Sequence, residues 1–427
     1  TVTGGQTTTV QGSLTPSGST SSISNDPYAS YLWGLHNTGQ TGGTADADID
    51  APEAWAVTKG STSVIVGVVD SGVDYNHPDL KANIIGGYNA ITGTTNPMDD
   101  NGHGTHCAGT IGAVGNNGIG VVGVNWNVKI MPLKFLDEDG YGYTSDAIEA
   151  FGWGYSRGVR IFSNSWGGYG TDTALQDAIS PYSDALFICA AGNDGSNTDV
   201  SPQSPSALPN ANIIAVAATD HRDNLASFSN YGASTVDVAA PGVSIYSTYP
   251  GSSYAYMDGT SMATPHVAGV AALVKAVNSG YTVAQVKQAI LSGVDVKSGL
   301  SGKCVTGGRV NAKSTLNSVL ISRNSQVISS NFPTSMSAGQ TYTVSIRVKN
   351  TGTTTWTSSN SYRLGAVGDS RGDAIKFGPG RIGIPAGTTV APGQEHTFTF
   401  TITAPVPGTY NPSSCKTALE IDPDPMT

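Results

Sequence analysis

The sequence predicts an α/β fold, a mostly parallel central sheet flanked by helices, followed by a C-terminal all-β sandwich. Three observations carry this expectation. Continuous apolar runs such as Val64–Val69 (VIVGVV) have the composition of strands buried on both faces of a parallel sheet. Segments with helical spacing fall between those runs, the alternation expected of an α/β domain. Past about Ser318 the helical pattern stops, and apolar and polar residues alternate with period two, as in a sandwich.

Residues 1–24 are nearly all Thr, Ser, Gly and Gln, the composition of a flexible arm. Residues 25–319 then form the α/β domain. Strands are expected at Val64–Val69, Val128–Leu133, Ile161–Ser163, Ala185–Ala191, Ile213–Ala218 and Val236–Ala239. Helices are expected at Gly104–Val114, Ser145–Arg157, Thr173–Ser183 and Ser261–Asn278. In residues 320–410, TYTVSIRVK (Thr341–Lys349) and EHTFTFTIT (Glu395–Thr403) alternate cleanly, with turns at Asn350–Gly352 and Pro392–Gly393. Residues 411–427 show no alternation and carry Pro412, Pro423 and Pro425, so a loose tail is expected there.

Composition narrows the function. With 38% apolar and only 12% charged residues, the 427-residue chain is too apolar for disorder. No apolar run approaches the roughly 20 residues that span a bilayer, so no membrane span is expected. A net charge of −10 with no basic face argues against nucleic acid. Low Lys and Glu content suits a secreted protein. The four cysteines, Cys107, Cys189, Cys304 and Cys415, are too few for a disulfide scaffold, and three full pairings remain open. The chain begins at Thr1 with no basic or apolar leader, so any signal peptide or pro-segment is expected to have been removed.

Three segments carry chemistry. Asp70 ends a buried strand in VVDSGVD, where open α/β sheets deliver residues to a cleft. His103 begins a small-residue helix in NGHGTHCAG. Ser261 lies at a helix start in GTSMATPHVAGVAALV, with Pro265 near that start, where early N–H groups lack intrahelical partners. A serine hydroxyl needs a base to take its proton, and an imidazole suits neutral pH. The imidazole in turn needs a carboxylate to set its tautomer.

Together with NDPY (Asn25–Tyr28), NHPDL, TYPGSSYAYMDGTSMATPHVAGVA and GRVNA, these segments make the chain from Asp26 to about Val319 resemble a subtilisin-family serine endopeptidase of the thermitase branch. The resemblance implies that Asp70 orients, His103 acts as base, Ser261 is the nucleophile and Asn193 donates to the oxyanion, with the Ser261 N–H as second donor. It implies a substrate cleft between Gly140-Tyr141-Gly142 and Ser165-Trp166-Gly167, and a roomy apolar pocket walled by Ala190, Ala191 and Gly192. Asp194 is expected to add a mild preference for basic residues there. A structural Ca²⁺ is implied at Asp26 and Asp79, completed by Asn117 and the carbonyls of Val114, Ile119 and Val121. A further calcium loop at Asn89–Met98 is expected to be absent, since Asn89, Thr92 and Thr94 stand at its carboxylate positions. Asp237, in VDVAAPG, is a candidate for a weak cation site, but the loop that would complete it, Ser201–Asn212, departs from the family pattern. The resemblance also implies polypeptide substrates, broad specificity with apolar preference, an inhibitory pro-segment that is removed, secretion, and action as a monomer.

Plainer readings apply to neighbours of these residues. His77, His106 and His266 are read as structural, Cys107 as a small core residue, and Trp166 as a wall of the cleft. VKNTGTTTW and APGQEHTFTFTITAP resemble a bacterial Ig-like module, a stabilising or spacer domain whose closing strand is expected to be missing. Two rival functions are a selective processing protease and a non-catalytic binding protein on the same fold.

Overall fold

The computed structural model describes residues 2–4, 23–322, 325–333, 336–358, 362–367, 378–379, 381–405 and 416–421. The chain divides into two units, Thr1–Leu316 and Asn317–Thr427.

The first unit is built on a nine-stranded sheet. Ile65–Asp70 lies inside it, with Lys129–Lys134 and then Tyr88–Asn89 on one side. On the other side follow Ile161–Asn164, Leu186–Ala190, Ile213–Thr219, Val238–Pro241, Gly308–Arg309 and Asp295–Val296. All neighbours run parallel except the last pair. Helices cover both faces, which is why these strands read as unbroken apolar runs: Val66, Val68 and Val69 have no exposure at all. The expected strands match to within two or three residues at each end. Strand order reverses beside Ile65–Asp70, and such a switch leaves a crevice at the strands' carboxyl ends.

The helices expected from spacing are His103–Gly112, Thr144–Tyr155, Thr173–Ile179 and Thr260–Val277. The last is buried from Thr260 through Val274. A helix apolar on every face belongs inside the molecule rather than at its edge. Among the described residues, no helix is long and apolar enough to cross a membrane.

The second unit is antiparallel. Ser325–Ser330, Thr341–Asn350 and Glu395–Thr403 form one sheet, and Arg381–Gly383, Tyr362–Val367 and Lys416–Ile421 another. Inward-facing Ile346, Val348, Trp356, Leu364, Ile384, Val390 and Phe398 pack together as its core.

Two expectations need correction. Val2–Gly4, read as part of a flexible arm, is a strand. Lys416–Ile421, read as loose tail, pairs residue for residue with Tyr362–Val367, so a last strand is present. Both are too short for a periodic signal and gain their order only from partners far away in sequence. Cys107, Cys189 and Cys304 are buried free thiols, while Cys415 lies outside the described residues.

Candidate active site

Asp70 closes its strand with no exposure, and its Oδ1 accepts from His103 Nδ1 at 2.7 Å and from the Ser71 N–H at 2.7 Å. His103 is the first residue of its helix, and Asp99 holds that helix start together. Asp99 accepts from the N–H groups of Asn101, Gly102 and Thr105 and from the Ser71 and Thr105 hydroxyls, as a carboxylate should at a helix N-terminus. Gly104 lets the helix abut the strand end, for a β-carbon there would lie 2.0 Å from the Gly72 carbonyl oxygen. Burial alone would lower the His103 pKa, but the Asp70 carboxylate outweighs it and holds the imidazole above its ordinary 6.5. His103 Nε2 is buried with no hydrogen-bond partner among the described residues.

Ser261 is the second residue of the Thr260–Val277 helix. Pro265 has no N–H to give to the Ser261 carbonyl one turn back. That carbonyl instead accepts from the Ser165 hydroxyl at 2.8 Å and the Cys107 thiol at 3.5 Å. The proline therefore stitches three segments together rather than merely being tolerated. Cys107 is one turn beyond His103, and the ligand atoms of Asp70, His103 and Cys107 lie within 4.8 Å of one another. The Ser261 hydroxyl donates to the Ser165 carbonyl at 2.9 Å in this structure.

Asn193 is oriented by Thr260, whose N–H and hydroxyl both donate to Asn193 Oδ1 at 2.9 Å. This leaves Asn193 Nδ2 buried and without a partner among the described residues. A β-carbon on Gly259 would sit 3.5 Å from the Ser261 nitrogen and 3.6 Å from Asn193 Nδ2, so both donors border one small space.

Residues 61–319 match the profile of the subtilase family. The chain belongs to the subtilase family. It is 43% identical over 267 residues to thermitase of Thermoactinomyces vulgaris, covering 62% of this chain and 92% of that protein. It is 44% identical over 262 residues to a thermophilic serine proteinase of Bacillus sp. (strain AK1), covering 61% of this chain and 63% of that one. A solved protease from Pseudoalteromonas arctica superposes with a TM-score of 0.62 at 30% identity, covering 70% of this chain and all of that one. This subtilase is a serine endopeptidase, a hydrolase of peptide bonds.

Beside the Asp70–His103 pair, the subtilase carries a four-stranded antiparallel sheet in the order Tyr141–Gly142, Val2–Gly4, Trp166–Tyr169, Gln203–Ser204. Val2 faces Gly142 and Thr3 faces Tyr141 on one edge, while Thr3 faces Gly167 and Gly4 faces Trp166 on the other. The chain's own N-terminal residues thus lie as a middle strand between the two segments expected to line the cleft. Gly140, at φ +79°, turns the chain into the first of these segments.

Trp166 lends that sheet its backbone only. Its indole is buried against Phe135 and Phe151, so the Trp166 side chain packs in the core, contrary to its reading as a cleft wall. The Ala191 side chain likewise packs into a core cluster with Ala217, Val236 and Ala239, while Ala190 ends its strand and Gly192 follows. Asp194 is not a free charge: Tyr169 donates to its Oδ1 at 2.9 Å and Gln203 Nε2 to its Oδ2 at 2.7 Å.

Asp26 and Asp79 are both buried and come together beside the 114–121 loop. Asp26 accepts from the N–H groups of Asn116, Asn117 and Gly118, and Asp79 from Val121 N–H and the Asn117 amide. Burial, together with the Asp26 charge, pushes the Asp79 carboxyl up to about 6. Among the described residues, no backbone N–H donates to the carbonyls of Val114, Ile119 or Val121. Asn117 presents its nitrogen to Asp79 and its oxygen to the Ile119 N–H, so its amide must turn over to offer oxygen at the carboxylates. In the Asn89–Met98 loop the Thr92 and Thr94 hydroxyls bond to each other at 2.9 Å. Asp237 is paired with Lys287 at 3.1 Å.

The three histidines read as structural all bond to main-chain carbonyls. His106 donates within reach of the Ile245 and Ala255 carbonyls and is pushed by burial to about 3, His266 bonds the Met262 carbonyl, and His77 bonds that of Ser253. Asp99, which holds the start of the His103 helix, and Thr260, which orients Asn193, were missed by sequence reasoning. A signal for the first existed, an acidic residue just ahead of a helix in MDDNGHG. None marked the second.

Proposed function

We propose that this subtilase cleaves polypeptides through an acyl-enzyme on Ser261, with His103 as general base and Asp70 as its orienting carboxylate. The Asp70–His103 hydrogen bond requires the proton on Nδ1, which leaves the Nε2 lone pair to take the Ser261 proton. A turn about the Ser261 side-chain bond frees its hydroxyl from the Ser165 carbonyl for that transfer. The serine oxygen bonds to the scissile carbonyl carbon, whose oxygen becomes negative, and Asn193 Nδ2 and the Ser261 N–H donate to it. The imidazolium then returns its proton to the leaving amine, and a water molecule repeats the sequence to release the acid. The observation that carries this reading is that, among the buried side-chain atoms without a hydrogen-bond partner among the described residues, His103 Nε2 offers an acceptor and Asn193 Nδ2, bordering the same space as the Ser261 N–H, a donor.

The substrate would lie extended where Val2–Gly4 now lies, paired with Gly140–Gly142 and Ser165–Gly167. Main-chain bonds then supply affinity whatever the side chains, which suits broad specificity. The residue on the acyl side of the cut would enter a pocket beside Ala190, Ala191 and Gly192, with Asp194 at its rim.

We also propose a structural Ca²⁺ held by Asp26, Asp79, Asn117 and the carbonyls of Val114, Ile119 and Val121. Two buried carboxylates, next to three carbonyls to which no backbone N–H donates among the described residues, form the all-oxygen set that a hard cation takes. The ion would tie the segment at Asp26 to the body. Low Lys and Glu content suits secretion, and membership of the subtilase family favours a monomeric enzyme that matures by loss of an inhibitory pro-segment. Casein digestion by the wild-type protein and by Ser261→Ala tests the catalytic reading: loss of all digestion is expected, and undiminished digestion refutes it.

A further inference from the structure

We propose that an open cavity at the end of the sheet away from the active site binds a small amphipathic carboxylate, its head at Lys275 and Arg160 and its body along an apolar wall. Asp70 closes its strand, and Asn193 lies just past the end of Leu186–Ala190, so the catalytic groups gather at the strands' carboxyl ends. Arg160 and Ala185 precede the parallel strands Ile161–Asn164 and Leu186–Ala190, at the amino ends. There a cavity of about 410 Å³ opens between the strand starts, the end of the Thr260–Val277 helix and the start of a helix at Val283–Ser292. That volume falls within the roughly 300–1,000 Å³ of small-molecule sites. Ile161, Leu186, Val283 and Val286 give it an apolar wall.

Two cations, Arg160 and Lys275, line the cavity with one carboxylate, Asp184, in a chain of net charge −10. Asp184 is already engaged. Tyr155 donates to its Oδ1 at 2.6 Å and Arg160 Nε to its Oδ2 at 2.9 Å, and these bonds hold the carboxyl below its ordinary 3.8. The guanidinium is fixed further by the Tyr155 and Val159 carbonyls on Nη1 and by the Tyr155 ring 4.0 Å away, which leaves its Nη2 without a partner among the described residues. Lys275 forms no ion pair with any described carboxylate. Its ammonium donates to the Ser279 and Tyr281 carbonyls and keeps one N–H over. Burial, with the Arg160 charge, holds that ammonium below its ordinary 10.5, a penalty that an anion beside it would relieve. Thr282 and Val283 add the positive end of their helix to the same cavity. An inorganic anion would leave the apolar wall bare, and a neutral hydrocarbon would leave Lys275 unpaired. A carboxylate with an apolar body answers both, and fatty acids and peptides ending in an apolar residue share that chemistry.

The test is isothermal titration calorimetry on the full chain, blocked at its serine to prevent autolysis. The ligands are decanoate, decanol, acetate, and an N-acetylated tripeptide ending in leucine, as acid and as amide. One saturable site is expected, with each acid bound about tenfold or more tighter than its neutral counterpart, the effect of a hydrogen bond to a charged group. Lys275→Met keeps the chain length and removes the charge. Val283→Asp sets a negative charge at the cavity, where a helix start favours it. Each variant, shown by circular dichroism to be folded, should bind the acids about tenfold more weakly. Tighter binding of the peptide acid than of decanoate assigns the site to peptide ends, and the reverse order to fatty acids. No saturable binding of either acid at millimolar concentration overturns the inference, as does equal affinity in wild type and both variants. Neither result touches the catalytic reading, since the active serine is blocked throughout.

Discussion

Replacing Asp79 by asparagine should stabilise the metal-free protein and destabilise the calcium-loaded one. Asp79 has no exposure, and burial with the added repulsion of Asp26 raises its carboxyl from 3.8 to about 6, against hydrogen bonds from Val121, Asn117 and Tyr254 that favour ionisation. With no cation bound, the folded protein holds this proton to higher pH than the unfolded chain does. Stability therefore falls as pH rises from about 4 to about 6 and stays low above that. At 1.36 kcal/mol per unit, the deficit at neutral pH is about 3 kcal/mol, or roughly 6 °C for a unit of this size. An asparagine accepts the Val121 N–H as well and carries no charge. In EDTA at neutral pH, Asp79→Asn should melt several degrees above wild type, and the difference should vanish near pH 4. In excess calcium the order should reverse, because the variant has lost a charged ligand. Differential scanning fluorimetry on protein blocked at its serine, which prevents autolysis, reads both conditions. The same sign of difference in EDTA and in calcium would refute the reasoning.

Three further outcomes follow from the site. Asn193→Ala removes the unpartnered donor and should lower kcat by about 10²–10³ with KM little changed, the loss found for such a donor in subtilisin; an unchanged kcat in steady-state assays would exclude the oxyanion role. Wild-type kcat/KM should rise with pH through the His103 ionisation, which lies above 6.5, while Asp70→Asn leaves burial opposed only by the Asp99 charge, moves that limb to lower pH and lowers kcat by about 10⁴; an unmoved limb would dissociate Asp70 from the base. Deleting residues 1–4 removes a strand that competes in cis at an effective concentration on the order of millimolar, so KM for short peptides should fall; an equal KM would mean that Val2–Gly4 does not compete.

The parallel sheet was readable because its strands are buried on both faces, which forces runs such as VIVGVV with no polar interruption. Asp70, His103, Ser261 and Asn193 were singled out because each sits in a segment rich in small residues and glycines, of which Gly104 against Gly72 shows the need for close approach. What escaped depends on distant contacts. Thr260 orients Asn193 across 67 residues of sequence, and Ser165 meets the Ser261 carbonyl across 96. Trp166 shows the opposite limit: a strand sends successive side chains to opposite faces, so the same residue gives its backbone to the sheet with Val2–Gly4 and its indole to the core. Val2–Gly4 and Lys416–Ile421 borrow their order from partner strands and carry no periodicity of their own.

The central claim is that Ser261 is made nucleophilic by His103 and Asp70. Its most direct measurement is peptide-mapping mass spectrometry after reaction with a serine-directed fluorophosphonate at neutral pH. One adduct on Ser261, formed in wild type and abolished in a folded His103→Ala variant, is the predicted result. Labelling of Ser261 at the same rate in both proteins, or an adduct on a different serine with Ser261 untouched, would contradict it.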